Sequence, residues 1–105
     1  MLQSQLFTKT ERLAPKDEQA KNAQLLVRAG FIDKLMAGVY SFLPLGFLVL
    51  KNIEKIIREE MNAAGGQEIL MPALHPVENY ERTGRQDIDV LFRTKLGDDK
   101  SLVLG

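Results

Sequence analysis

The strongest periodic signal in the chain lies between Leu45 and Ala64. Val49, Leu50, Ile53, Ile56, Ile57, Met61 and Ala64 recur at the i, i+3, i+4, i+7 spacing of one helix face. Lys51, Glu54, Lys55, Arg58 and Glu59 fall largely on the other side, and Glu54–Arg58 has the acid-first order that supports a helix by about 0.2–0.5 kcal/mol. Gly65-Gly66 ends this helix, because glycine enters left-handed backbone cheaply. A second helix is expected from Asp17, as its N-cap, to about Arg28. Ala20, Ala23, Leu26 and Val27 share a face, Glu18 suits the first turn, Arg28 the last, and Gly30 the stop. Phe31, Ile32, Leu35 and Met36 read as a further short helical turn.

The remaining apolar runs are short and strand-like. Val39–Leu43, between Gly38 and Pro44, predicts a strand with Tyr40 and Phe42 on one face. Residues 67–72 predict another, turning back sharply from the long helix. Pro72 has no N–H to donate and so belongs at a strand end or sheet edge. A short helix is expected from Val77 to about Thr83, closed by Gly84. Val90–Leu96 and Lys100–Leu104 then read as two strands around a Gly97-Asp98-Asp99 turn. Residues 1–16 read as an extended arm. The order of elements predicts an α+β fold, with helices packed on part of an antiparallel sheet. Leu102-Val103-Leu104 ask for neighbouring strands, since a lone hairpin is marginal in water, so the chain reads as the front of a larger sheet. The rival view is that the small helices supply enough cover.

Composition narrows the function classes. The chain has 105 residues, 45% hydrophobic and 27% charged, which suits one folded domain. Fourteen basic residues balance fourteen acidic ones, so the basic excess of a dedicated nucleic-acid binder is missing. The basic residues at 9, 12, 16 and 21 are interleaved with acids at 11, 17 and 18 and read as a solvated face. With no cysteine there is no disulfide framework or thiolate nucleophile, and the single histidine, His75, reads as structural. Glu59 and Glu60 are helix neighbours that point about 100° apart and cannot converge as an acid–base pair. Glu60 interrupts the apolar stripe and reads as a contact to a partner. No glycine spacing suits a phosphate cradle. The amino terminus lacks the pattern of a signal peptide, and the apolar run 42–50 falls far short of a membrane span. The reading is a soluble, cytoplasmic protein.

One set of segments resembles a known family. Arg28-Ala29-Gly30-Phe31-Ile32 and Ala37-Gly38-Val39-Tyr40-Ser41-Phe42-Leu43-Pro44-Leu45-Gly46 are similar to the amino-terminal region of bacterial-type prolyl-tRNA synthetases. Ile57-Arg58-Glu59-Glu60-Met61-Asn62, Gln67-Glu68-Ile69-Leu70-Met71-Pro72-Ala73-Leu74, the opening Gln3-Ser4-Gln5-Leu6-Phe7 and Thr83-Gly84-Arg85 resemble it too. The block at 38–46 is the most specific. Gln86 departs from the aromatic residue usual after Gly84-Arg85 in that family.

The resemblance implies an incomplete class II synthetase catalytic-domain fold, with residues 1–105 as its amino-terminal part. Motif 1 would be the helix 45–64 with the strand 67–72. That motif packs against its twin, which implies a homodimer interface through Ile53, Ile57, Glu60, Met61, Met71 and Pro72. Arg85 either makes a loop salt bridge or forms part of an active-site wall. The parent enzyme would use ATP and Mg to join proline to tRNA(Pro). Its adenylating groups, in motifs 2 and 3, would lie on polypeptide beyond residue 105, so no catalytic, cofactor-binding or metal-ligating residue is expected in this chain. A second reading is a stand-alone, non-catalytic dimerisation or interaction module. A third is another class II synthetase, against which the block at 38–46 speaks.

Overall fold

The computed structural model describes residues 1–97 and 100–105. It is α+β with antiparallel sheets, and divides into two compact units, Met1–Gln67 and Glu68–Gly105.

In the first unit the arm opens with a 3-10 turn at Gln3–Gln5 and otherwise runs without regular structure to Ala20. Helix α1 spans Lys21–Arg28 and buries Ala23 and Val27. It starts later than expected, and Asp17 does not cap it. Its N-cap is Ala20, with no side-chain bond, because the Asp17 and Glu18 carboxylates are engaged elsewhere, by Lys34 and Tyr40. The segment expected to form a helical turn at 31–36 is instead a strand. Strand β1 (Ile32–Met36) pairs antiparallel with β2 (Val39–Phe42), with Ile32 opposite Phe42, Lys34 opposite Tyr40 and an irregularity between Lys34 and Met36. The helix is already closed at Gly30, and the β2 ladder offers residues 32–36 the backbone partners that a single helical turn lacks.

Helix α2 spans Pro44–Ala63 and opens with proline at its first turn, where a missing N–H costs nothing. Its entry is tight. The Leu43 N–H donates to the Phe31 carbonyl (2.9 Å), and a Cβ on Gly46 would lie 2.1 Å from that same oxygen. Glycine at 46 therefore lets the helix approach the end of the α1–β1 connection. At its far end Gly65 takes φ +88°, its N–H donates to the Asn62 carbonyl, and the Gly66 N–H donates to that of Met61. The α1 helix ends the same way. Gly30 donates to Val27 and Phe31 to Leu26, so both helices close in the two-bond pattern that satisfies orphan carbonyls.

The second unit starts with residues 68–73, which form no strand. The expected strand at 67–72 is displaced to β3, Leu74–Pro76. The physical reason is pairing: Leu74, His75 and Pro76 lie opposite Leu104, Val103 and Leu102, whereas Leu70 is 100% exposed and finds no ladder partner among the described residues. Helix α3 (Val77–Arg82) follows at once, and Gly84 and Arg85 close it by donating to Glu81 and Tyr80. Strand β4 covers Arg93–Leu96, shorter than the expected 90–96, and β5 covers Lys100–Leu104. The order β3-β5-β4 leaves β5 central and Val103 1% exposed. Pro76 sits at the end of an edge strand, where it interrupts no ladder. Gly97 begins the predicted turn, while Asp98 and Asp99 lie outside the described residues.

Among the described residues the buried apolar set is small: Ala23, Val27 and Ile32 in the first unit and Val103 in the second. A fully buried Val or Ile contributes about 1.5–3 kcal/mol, so this apolar core is modest.

Candidate functional site

Helix α2 presents its periodic face to solvent. Ile53, Ile57, Glu60 and Met61 fall at i, i+4, i+7 and i+8, hence on one side of the helix, and all four are exposed. Phe47, Leu48, Val49 and Ile56 are exposed as well. The polar side carries an exposed Lys55–Glu59 pair at 3.7 Å, and Lys51 lies over the Phe47 ring, 5.1 Å from its centre. Such pairs contribute about 0.3–0.5 kcal/mol, too little to hold a 20-residue helix without a packed face. Met71 and Pro72 belong to the other unit, in the strandless stretch before β3, and are exposed too.

In the second unit an open cavity of about 820 Å³ lies between α3 and the β4–β5 hairpin. Glu78 and Glu81 of α3 line it with Arg93 and Lys95 of β4 and Ser101 of β5. Arg93 and Lys95 are two apart on a strand and share a face, and Lys95 lies opposite Ser101. Two carboxylates and two cations balance, so the cavity has no bias toward an anion. His75 is half-buried in β3 opposite Val103, and a Cβ on Gly105 would come 2.5 Å from its Nε2; the ring occupies the space this glycine leaves. Arg85 is exposed at the carboxyl-terminal stop of α3, where its backbone N–H donates to the Tyr80 carbonyl. No group of three metal-ligating side chains is present among the described residues.

One polar cluster was not legible in the sequence. The Lys34 Nζ donates to Asp17 Oδ2 at 2.9 Å and lies 3.3 Å from Glu18 Oε2, while the Tyr40 hydroxyl donates to the same Glu18 oxygen at 2.5 Å. The Lys34 and Glu18 side chains are 12% and 9% exposed. The Lys34 bond holds Asp17 below the usual carboxylate range, and the Tyr40 bond does the same for Glu18. In return Lys34 is raised by its bond to Asp17, and Tyr40 by its bond to Glu18. Asp17 and Glu18 read as helix-start residues by position; only the pairing of β1 with β2, which sets Lys34 opposite Tyr40, reveals their partners.

No protein-family model matches the chain. Curated relatives do. The proline–tRNA ligase of Mycobacteroides abscessus is 51% identical over 104 residues, covering 97% of this chain and 18% of that protein. Those of Pelotomaculum thermopropionicum and Exiguobacterium sibiricum are 47% and 50% identical over 107 aligned positions, each covering 100% of this chain and 19% of the relative. The chain thus spans about a fifth of the length of the curated relatives it matches. With identity near one half across nearly all its residues, the chain is similar to the proline–tRNA ligases over the fifth of their length that it matches.

Proposed function

We propose that this chain is part of a bacterial-type proline–tRNA ligase, supplying the subunit seam and the first strands of a class II catalytic sheet. The carrying observation is the similarity of 97–100% of the chain to enzymes named for that reaction. The parent enzyme is cytoplasmic and works in two steps. The proline carboxylate attacks the α-phosphate of ATP and pyrophosphate leaves; a terminal ribose hydroxyl of tRNA(Pro) then attacks the prolyl carbonyl and AMP leaves. No three His, Asp or Glu side chains converge among the described residues, and no step is assigned to a metal in this chain. No helix is long and apolar enough to cross a membrane.

The seam is motif 1, built from Ile53, Ile57, Glu60, Met61, Met71 and Pro72, and through it the enzyme is a homodimer. The solvent-facing apolar stripe of α2 supports this, since an exposed patch of this kind marks an interaction surface. A two-fold seam is self-complementary, and one helix face can serve both sides. On this reading Arg85 forms part of an active-site wall, the alternative being a loop salt bridge. The same stripe also favours a second reading, a stand-alone dimerisation module without chemistry.

A chimera separates the two. The matching segment of the Mycobacteroides abscessus enzyme is replaced by this chain, and proline-dependent ATP–pyrophosphate exchange and tRNA charging are measured. Both activities are expected. A chimera that is folded and dimeric by circular dichroism and light scattering, yet inactive, refutes the enzyme reading. Exchange by the 105-residue chain alone would overturn the placement of the chemistry outside it.

A further inference from the structure

We infer that residues 8–18 form a strap across the Met1–Gln67 unit, latched by Lys34, and that it releases as one piece while α1, β1 and β2 stay folded. The strap has neither helix nor strand, and none of its residues is buried. Leu13 is 82% exposed, so apolar anchoring is slight. What fastens it is polar. At one end the Glu11 N–H donates to the Arg28 carbonyl at 2.7 Å, and the Lys9 carbonyl fills the space that glycine leaves at 30, 3.0 Å from where a Cβ would stand. At the other end Gln24 Nε2 donates to the Glu18 carbonyl at 2.6 Å, and Asp17 and Glu18 meet Lys34 and Tyr40.

Between these two fastenings the strap bridges a gap. A cavity of about 240 Å³ is bounded by Glu11, Pro15 and Asp17 on the strap side and by Val27 and residues 33–36 on the frame side. The frame has a different kind of support: a β-ladder, a glycine-closed helix and the buried Ala23, Val27 and Ile32. Opening the strap returns every latch group to water, so no charge is left stranded in an apolar site, the circumstance that makes breaking an ion pair severe. Segments with few buried apolar contacts open locally at free energies below that of global unfolding. The latch is therefore the step that holds the strap, and its loss is felt there first.

Amide hydrogen exchange on the full 105-residue chain tests this, with Glu11 as the strap reporter and Ala29 and Leu43, which donate to Leu25 and Phe31, as frame reporters. Lys34→Gln and Tyr40→Phe are each expected to speed Glu11 exchange about fivefold or more while Ala29 and Leu43 keep their rates. The inference is overturned if all three amides accelerate together, since strap and frame would then be one cooperative unit. An unchanged Glu11 rate overturns it too. If Lys34→Gln does not fold, Tyr40→Phe, which removes only a hydroxyl, decides alone.

Discussion

Gly46→Ala gives the sharpest test of how α2 is seated. Helix propensity alone makes this change favourable by about 0.5–1 kcal/mol, because glycine in a helix interior loses more backbone entropy than alanine. The structure reverses the sign. The new methyl would lie 2.1 Å from the Phe31 carbonyl oxygen and 2.9 Å from its carbon, and both are backbone atoms that cannot rotate away. The helix start must shift, straining its contact by about 1–3 kcal/mol and stretching the Leu43–Phe31 hydrogen bond, whose loss adds about 0.5–1.5 kcal/mol. The net expectation is a loss of about 2–3 kcal/mol, or about 10–20 °C in melting temperature for a chain of this size. Thermal and urea unfolding followed at 222 nm measure it. A variant that melts at or above the parent temperature would show that propensity outweighs the close approach and that α2 does not enter against residue 31.

Other outcomes follow from the same geometry. Gly65→Ala meets no atom within 4 Å but must hold φ near +88°, so it should cost about 1–2 kcal/mol in urea unfolding; no change would remove the left-handed stop as the reason for glycine there. In the chimeric enzyme, Ile57→Glu is expected to raise the dimer dissociation constant at least about 100-fold by light scattering, and an intact dimer would place the seam elsewhere. Stability should also follow the latch. The Asp17 and Glu18 carboxyls are lowered from 3.8 and 4.5, so their contribution is complete above those values and lost as pH falls through the folded ones. Lys34 and Tyr40 are raised from 10.5 and 10.0, so theirs is complete below those values and lost as pH rises through the folded ones. Urea midpoints from pH 7 down to 3 should decline less in Lys34→Gln than in the parent chain; parallel curves would sink the assignment.

Helix ends were the most legible part of the sequence. Gly30, Gly65 and Gly84 each stop a helix through the same two backbone bonds, and that information is local to four or five residues. Starts were less so: Asp17 has the right chemistry for a cap, but a lysine seventeen residues away holds its carboxylate. Strands were legible where the residues themselves mark them and not where only the pairing decides. The β4–β5 hairpin is nearly as expected, whereas 31–36 takes its character from 39–42, and the strand expected at 67–72 moved to 74–76, where β5 supplies the ladder. For the proposed seam, the periodicity located the α2 residues Ile53, Ile57, Glu60 and Met61 on one face, but periodicity does not reach Met71 and Pro72, which follow in a stretch without helix or strand.

The bare face of α2 and the exposed side chains at 69–71 also bear on how the chain behaves in a tube. Its isoelectric point is about 6.6, so near neutral pH nothing in the net charge keeps molecules apart while Leu70, Ile69 and Met71 stand uncovered. Solubility should therefore pass through a minimum close to that pH, and sulfate, which strengthens apolar association, should deepen it. Purification at pH 8 or above, in low concentrations of chloride, keeps the chain dispersed.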